Sequence, residues 1–300
     1  MPNFLIVGAQ KSGTTSLWHY LKQHPDIFMS EIKEPLFLVS PYYLMLNPKD
    51  PRFKLLNSSL AKTLDEYFKL FSKVNNEKAI GEASVPYLYH YDIAISHIKR
   101  YLTDCKIIIV LRNPIQRAFS AYTFLLREMD ESTSFESCLA LEEERMNDHW
   151  SMIHFYKGAG LYYTQVKAYL AHFKEVEIFL FEELRNNPLE TVKELYTFLG
   201  VDSQFIPDIQ TKHNVSGVPK NMFVHKYITE PNAFKEFLRP VLHRFISEAK
   251  RRKLVEWFRG KNLVKPEMSP VTRQELIKYF HDDILMLQDL IKRDLTHWLQ

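Results

Sequence analysis

The residues near the amino terminus have the types and spacing of an anion-binding loop. The apolar run Phe4–Gly8 ends in glycine, and a loop of basic, small and hydroxyl residues follows: Lys11, Ser12, Gly13, Thr14, Thr15 and Ser16. An apolar pattern that begins at Leu17 predicts a helix directly after the loop. In this arrangement backbone N–H groups and the positive end of the helix dipole converge on one point. The loop is therefore expected to hold a phosphate or sulfate group.

The loop differs from the nucleotide-triphosphate P-loop at the position that carries the chemistry. Gly8 and Gly13 have the G-x-x-x-x-G spacing of that motif. The motif then requires Lys followed by Ser or Thr, but Thr14 and Thr15 stand there. Such enzymes also hold Mg²⁺ with an Asp at the end of a later strand, whereas the best later strand is followed by Arg112. The sequence thus predicts a phosphate-like group held by protein cations without a metal, and it disfavours the alternative of an NTPase or kinase.

Two motifs together resemble those of the sulfotransferases that use 3′-phosphoadenosine 5′-phosphosulfate (PAPS). Lys11-Ser-Gly-Thr-Thr-Ser-Leu resembles the 5′-phosphosulfate loop of that family. Farther along the chain, Leu-Arg112-Asn-Pro-Ile-Gln-Arg-Ala-Phe-Ser120-Ala-Tyr resembles its 3′-phosphate element, with the Arg and the Ser eight residues apart as in the family. The resemblance extends over nearly the whole chain, and it is closest to the heparan-sulfate-type and bacterial branch.

The resemblance implies a role for the residues of both motifs. Lys11 is expected to contact the phosphate that leaves, which makes it a catalytic residue as well as a cofactor-binding one. The N–H groups and hydroxyls of Ser12–Ser16 would surround the 5′-phosphosulfate. Arg112 and Ser120 would hold the 3′-phosphate, because Arg is suited to bidentate recognition of phosphate. In the family a basic loop closes over the 3′-phosphate, and Lys220 is the preferred candidate, ahead of a lysine eight residues earlier.

Two carboxylates are candidates for the base that takes the proton of the acceptor. Glu34 lies 23 residues after Lys11, at a distance compatible with the catalytic Glu of the heparan-sulfate-type enzymes that the chain resembles. Many members have His two positions later, where this chain has Leu36, which suggests a different acceptor. Glu82 lies at the end of a predicted strand and is the second candidate; it could instead bind the acceptor or orient Lys11. A histidine, as in the cytosolic branch, is a third possibility.

Hydrophobic patterning predicts the elements that position these residues. Four near-continuous apolar runs are typical of buried parallel strands: Phe4–Gly8, Ala79–Glu82, Ile107–Arg112 and Val176–Phe181. Helical patterns occur near 14–23, 61–73, 90–102, 114–128, 135–146, 161–172, 188–199, 236–258 and 271–299. This alternation predicts a three-layer α/β fold, with a central, mainly parallel sheet covered by helices on both faces. Ligands of such sheets bind beyond the carboxyl ends of the strands, where the loop, Glu82 and Arg112 all lie.

Composition narrows the class of protein. An apolar content of 46% supports a sizeable core, and a net charge of +3 is too small to favour a nucleic-acid partner. The two cysteines, Cys105 and Cys138, lack the spacing of a metal site, and no apolar run approaches the ~20 residues of a membrane span. Because the chain enters its first strand without a signal peptide, we expect a cytoplasmic enzyme or a trimmed catalytic domain. We expect residues 1–300 to form a single sulfotransferase domain.

These observations predict a PAPS-dependent sulfotransferase that makes a sulfate ester by direct in-line transfer and needs no metal. The expected acceptor is a hydroxyl group of a carbohydrate or glycoconjugate, and the alternative is a lipid, a sterol or another small alcohol. A non-catalytic nucleotide-binding module is open only if Glu34 and Glu82 both point away from the crevice. The sequence specifies neither the acceptor nor the oligomeric state.

Overall fold

The computed structural model describes residues 1–102, 104–209, 217–219, 263–264 and 266–300. The chain divides into two compact units. The first consists of Met1–Tyr122, Thr133–His213 and Ser269–Gln300, and the second consists of Thr123–Ser132 and Asn214–Met268. The helix expected near 236–258 and the candidate residue Lys220 lie outside the described residues. The single-domain organisation stays a prediction.

The first unit is built on a five-stranded sheet in which every neighbouring pair of strands is parallel. Its strands lie in the order β2-β3-β1-β4-β5 and are β1 (Phe4–Gly8), β2 (Ile27–Met29), β3 (Ala79–Ala83), β4 (Lys106–Leu111) and β5 (Val176–Leu180). This confirms the α/β fold with a parallel sheet and all four predicted strands to within one residue at each end. The edge strand β2 was not predicted, because three residues are too few to show a periodic pattern.

Helices surround this sheet. Among the described residues, five helices begin and end within two residues of their predicted bounds, the helix predicted near 135–146 is two shorter helices, and four helices of seven residues or fewer were not predicted. The described helices are α1 (Thr14–Leu21), α2 (Ser40–Leu44), α3 (Phe53–Ser59), α4 (Leu64–Lys69), α5 (Pro86–Tyr89), α6 (Tyr91–Tyr101), α7 (Pro114–Glu128), α8 (Phe135–Ala140), α9 (Glu142–Asn147), α10 (Tyr162–His172), α11 (Phe181–Asn186), α12 (Pro188–Leu199) and α13 (Pro270–Ile291). The predicted terminal helix to residue 299 is too long, because Lys292 adopts a left-handed conformation with φ 54° and ends α13. In the second unit, β6 (Val218–Pro219) and β7 (Leu263–Val264) pair antiparallel.

The core fixes the position of α1 against the sheet. Phe4 and Ile6 of β1 pack in one buried cluster with Leu17 and Leu21 of α1. Each such side chain contributes roughly 1.5–3 kcal/mol by burial. The ring of Phe4 lies against the backbone of Gly81 on β3, where a Cβ atom would stand 2.4 Å from the ring. This packing holds the amino-terminal end of α1 at the carboxyl edge of the sheet.

The order of the strands places a crevice between β1 and β4. The chain crosses β1 when it passes from β3 to β4, because β1 lies between those two strands. Crevices at such switch points are where open parallel sheets bind ligands. The residue after β1, Ala9, donates its N–H to the carbonyl of Val110 on β4 (2.7 Å). No helix of the described part of the chain is long and apolar enough to cross a membrane.

Candidate active site

The loop between β1 and α1 leaves its backbone amides available to an anion. Lys11 and Gly13 have positive φ angles of 66° and 84°, and Gly13 caps α1 without any side-chain hydrogen bond. Leu17 donates to the Gly13 carbonyl (3.2 Å), and the amides that precede Leu17 in the helix have no acceptor within it. Glycine is required at position 13 for two reasons: the backbone there is left-handed, and a Cβ atom would lie 3.0 Å from Leu184. This is the geometry expected of an anion site at a helix amino terminus.

Ser12 adds a buried donor that lacks a protein partner. Its side chain is completely buried, and its Oγ has no hydrogen-bond partner among the described residues. A buried polar group without a partner costs about 1–3 kcal/mol, so a ligand oxygen at the loop would satisfy it. Thr14 is buried and Thr15 is half-buried in the first turn of α1. The hydroxyl of Ser16 is hydrogen-bonded to the side chain of Tyr20.

Arg112 joins the two motifs that are far apart in the sequence. Its Nη1 donates to the main-chain carbonyl of Lys11 (2.9 Å), and its guanidinium lies 4.6 Å from the ring centre of Phe181. Its Nε is buried and has no hydrogen-bond partner among the described residues. Burial lowers the pKa of Arg112, but a guanidinium keeps its charge in proteins. The structure thus brings Arg112 against the main chain of the loop that carries Lys11, and the roles of the two side chains stay predictions.

The other two predicted 3′-phosphate ligands are less well defined. Ser120 lies half-buried on α7, the helix that begins two residues after Arg112, and its role stays a prediction. Lys220 falls outside the described residues. Arg117 of the same motif is completely buried, and its Nη2 donates to the carbonyls of Phe155 and Tyr156 (3.2 and 2.5 Å). Arg117 therefore holds the main chain after α9.

Glu34 lies in a strained and accessible part of the chain. Its φ angle is 62°, a conformation that costs a residue other than glycine about 1–3 kcal/mol and that often occurs at functional sites. Its N–H donates to the carbonyl of Ala83 (3.0 Å), which fixes it beside the end of β3. Its Oε1 is paired with Lys33 Nζ at 2.5 Å, and the side chain is 31% exposed. Lys33 was missed by the sequence analysis, although its position next to Glu34 was a signal for it.

Glu82 is completely buried, in contrast to Glu34. Its Oε1 accepts hydrogen bonds from the hydroxyls of Tyr87 (2.7 Å) and Tyr67 (3.3 Å), and its Oε2 accepts one from Ser84 Oγ (2.7 Å). Burial raises the pKa of Glu82 to about 7, although the three hydroxyl groups lower it. Because the side chain is completely buried and both oxygens already accept hydrogen bonds, an acceptor hydroxyl could reach Glu82 only if this network opened. Its role as a base stays a prediction.

The raised pKa of Glu82 predicts that stability falls as the pH rises. The folded protein holds this proton more tightly than the unfolded chain, so the contribution is complete below about pH 4.5 and is lost through about pH 7. The expected loss is on the order of 3 kcal/mol. Urea unfolding across this range should show a steeper decline for the wild type than for Glu82→Gln. An equal change of the unfolding free energy with pH in the two proteins would contradict a raised pKa of Glu82.

An aromatic cluster lies beside the segment that carries Glu34. Tyr42 is half-buried, its ring centre lies 4.2 Å from that of His90, and its hydroxyl donates to the carbonyl of Trp150 (2.7 Å). Burial raises the pKa of the neighbouring Tyr43, and the charge of Glu34 contributes to that rise. The sequence singles out neither His90 nor Trp150, because they come from separate parts of the chain and belong to no motif.

Comparison with known proteins assigns the family. The sequence model of the family described as "Sulfotransferase domain" matches residues 1–284, and the chain therefore belongs to the sulfotransferase family. The structure is similar to a crystal structure of a sulfotransferase from Alicyclobacillus acidocaldarius, with a TM-score of 0.76 and 34% sequence identity. That match covers 100% of this chain and 99% of the other. The predicted family and fold are confirmed.

Curated relatives extend the comparison to enzymes of heparan sulfate. The heparan sulfate glucosamine 3-O-sulfotransferase 3B1 of Mus musculus is 26% identical over 205 residues, which are 67% of this chain and 46% of that protein. The membrane-associated sulfotransferase kil1 of Dictyostelium discoideum is 29% identical over 134 residues, which are 45% of this chain and 25% of that protein. The chain thus spans less than half the length of these two relatives.

Proposed function

We propose that this protein transfers the sulfuryl group of PAPS to a hydroxyl group of a carbohydrate or glycoconjugate. The observation that carries the proposal is the loop after β1, where a buried Ser12 hydroxyl that has no partner in the described part of the chain lies at the amino terminus of α1. Arg112 supports it, because its guanidinium is bonded to the Lys11 carbonyl and keeps an Nε available. Two separate anion-binding groups at one crevice suit a ligand with both a 5′-phosphosulfate and a 3′-phosphate.

Each residue of the site then has a defined task. Ser12 to Ser16 hold the 5′-phosphosulfate by amides and hydroxyls, and Lys11 stabilises the charge that develops on the leaving phosphate oxygen. Arg112 and Ser120 hold the 3′-phosphate, with Lys220 as the third ligand. Glu34 accepts the proton of the acceptor hydroxyl while the oxygen of that hydroxyl bonds to sulfur. PAPS supplies the sulfuryl group and leaves as adenosine 3′,5′-bisphosphate.

The aromatic cluster supports a sugar as the acceptor. Tyr42 and Trp150 are half-buried, so both combine a packed ring with some exposed surface, and amphipathic rings of this kind suit the apolar face of a sugar. The Mus musculus relative is named a heparan sulfate glucosamine 3-O-sulfotransferase, and that name favours the same acceptor class. A lipid, a sterol or another small alcohol is the alternative, because Leu36 stands where many relatives of the heparan-sulfate type have His.

Ligand binding tests the proposal directly. We expect calorimetry to detect adenosine 3′,5′-bisphosphate binding in the presence of EDTA, with no gain when Mg²⁺ is added. ATP should bind far more weakly under both conditions, because it lacks the 3′-phosphate. Tight binding of ATP that depends on Mg²⁺, without binding of the bisphosphate, would show that the site belongs to an NTPase or kinase.

Replacing Arg112 with Ala should weaken the bisphosphate selectively. A charge-assisted hydrogen bond is worth roughly 1.5–3 kcal/mol, so we expect the dissociation constant to rise by about 10- to 150-fold. Adenosine 5′-monophosphate should be affected much less, because it lacks the group that Arg112 holds. Arg185→Ala is the matched control, because Arg185 is exposed and lies over the same Phe181 ring. Equal losses for both ligands would mean that Arg112 only braces the loop.

The cytoplasmic location and the single-domain organisation are also parts of this proposal. Cell fractionation with an antibody against the chain tests the first, and a single cooperative unfolding transition tests the second. Recovery in a membrane fraction after high-salt washing would contradict the cytoplasmic location, and two separate transitions would contradict the single domain.

A further inference from the structure

The three residues whose hydroxyl groups bind Glu82 all contact one short segment, residues 34–38, which we call the base segment because Glu34 begins it. Leu36 donates its N–H to Ser84 Oγ (3.4 Å), and Leu38 donates its N–H to the hydroxyl of Tyr87 (3.3 Å). Both hydroxyls in turn donate to Glu82. Two chains of hydrogen bonds therefore run from the base segment to a single buried carboxylate.

The third residue, Tyr67, contacts the base segment through its ring instead of its hydroxyl. The ring of Tyr67 stacks on Phe37, with ring centres 4.7 Å apart and planes at 18°. Its hydroxyl donates to Glu82 Oε1 (3.3 Å), but among the described residues it accepts no hydrogen bond from an amide of the base segment. Tyr67 and Tyr87 thus differ in one respect that matters, since only the Tyr87 hydroxyl links an amide to the carboxylate.

The direction of these hydrogen bonds requires an acceptor at position 82. An amide N–H can only donate, so Ser84 and Tyr87 must each accept from the base segment and point their own hydrogen elsewhere. An ionised carboxylate is acceptor-only and takes both hydrogens at once. A Gln at position 82 would present an NH₂ group to at least one hydroxyl, and the hydrogen of that hydroxyl would then lose its acceptor.

The base segment needs such external support because its backbone is strained. Glu34 and Leu36 both have left-handed φ angles, of 62° and 59°, which residues with bulky side chains rarely adopt. Conformations of this kind persist only where the surroundings over-determine them. Two backbone hydrogen bonds hold the first residues of the base segment, from Glu34 N–H to the Ala83 carbonyl and from the Ala61 amide to the Pro35 carbonyl. The two chains to Glu82 hold Leu36 and Leu38.

We propose that Glu82 is a positioning residue that, through Ser84 and Tyr87, holds the base segment in the conformation in which Glu34 meets the acceptor hydroxyl. This inference rests on the proposed role of Glu34 as the base. It assigns to Glu82 an effect on the rate of transfer that is exerted through hydrogen bonds to Leu36 and Leu38, without contact between Glu82 and the acceptor.

Two matched substitutions test the inference. Tyr87→Phe removes a hydroxyl that links the Leu38 amide to Glu82, whereas Tyr67→Phe removes one that binds Glu82 alone. With PAPS and heparan sulfate as substrates, Tyr87→Phe should lower kcat by between about 10- and 100-fold, with the bisphosphate dissociation constant changed by less than about twofold. Tyr67→Phe should keep kcat within about twofold of the wild type. Equal losses of kcat in the two variants would overturn the inference.

Amide hydrogen exchange provides a readout that needs no activity. In the intact protein, the Leu38 amide should exchange faster in Tyr87→Phe than in the wild type, and Tyr67→Phe should leave it unchanged. Circular dichroism establishes that each variant is folded. Unchanged protection of Leu38 in a folded Tyr87→Phe protein would also overturn the inference.

A double substitution separates this inference from the proposed function. In a Glu34→Gln background, Tyr87→Phe should cause little further loss, because the group that it positions is no longer a base. If Glu34→Gln alone stays active, the proposed base is wrong and the inference is lost with it. If Glu34→Gln is inactive while Tyr87→Phe behaves like Tyr67→Phe, only the positioning role is wrong.

Discussion

Glu34→Gln is expected to lower kcat for transfer to the acceptor by about 10²- to 10⁴-fold, the usual effect of removing a general base. The amide keeps the size and much of the hydrogen bonding of the carboxylate but cannot take the proton. Because Glu34 is not part of the phosphosulfate loop, the dissociation constant of adenosine 3′,5′-bisphosphate should be nearly unchanged. The loss of rate at acid pH should also disappear from the residual activity. Steady-state kinetics and calorimetry measure both quantities.

A neighbouring carboxylate provides the control for this experiment. Glu31 lies three residues before Glu34 and forms an exposed ion pair with Lys73. Exposed pairs contribute little, so Glu31→Gln should leave kcat unchanged. An active Glu34→Gln enzyme together with an inactive Glu82→Gln enzyme would identify Glu82, at the end of β3, as the base. The role assigned to Glu34 by resemblance would then be wrong.

Lys11→Ala should lower kcat by about 10²- to 10³-fold, the scale of one transition-state donor. The charge of Lys11 matters most when the leaving oxygen becomes negative, so the effect on bisphosphate affinity should be much smaller. The bond from Arg112 reaches the main-chain carbonyl of Lys11, and an alanine retains it. The substitution therefore removes the ammonium group while it leaves the contact between the two motifs in place.

Lys22 is the matched control for Lys11, because it is an exposed lysine at the opposite end of α1. Its ammonium lies over the ring of Trp18, and Lys22→Ala should keep kcat near that of the wild type. Near-normal turnover by Lys11→Ala, or a comparable loss in both variants, would show that Lys11 does not act on the leaving group.

The sheet could be predicted because buried parallel strands have continuous apolar sequences. Phe4–Gly8 and Lys106–Leu111 are buried along almost their whole length, so each stands out without any knowledge of its neighbours. The strand β2 has only three residues and one half-buried position, and its place at the edge depends on pairing with β3. Helix α4 was predicted too long, since Thr63 caps it by accepting from the Glu66 amide and the flanking apolar residues belong to loops.

The anion-binding part of the site was predictable for a similar reason. The loop that contains Lys11 is contiguous, and Arg112 directly follows a strand, so both could be placed at the carboxyl edge of the sheet. The environment of Glu82 was not predictable, because its partner Tyr67 lies 15 residues away and the links to Leu36 and Leu38 join segments nearly 50 residues apart. Contacts of that kind arise from tertiary packing and leave no periodic signal in the sequence.

Transfer of label from PAPS radiolabelled on its sulfur tests most directly the proposal that the protein transfers a sulfuryl group to a carbohydrate. The purified protein would be incubated in EDTA with labelled PAPS and, in separate reactions, heparan sulfate, a sterol and a small alcohol. We expect label to enter the carbohydrate without added metal, and Lys11→Ala and Glu34→Gln should each lower the rate of transfer by about 10²-fold or more. Label in the sterol or small alcohol alone would contradict the proposed acceptor. No transfer to any acceptor, together with Mg²⁺-dependent hydrolysis of ATP, would contradict the account as a whole.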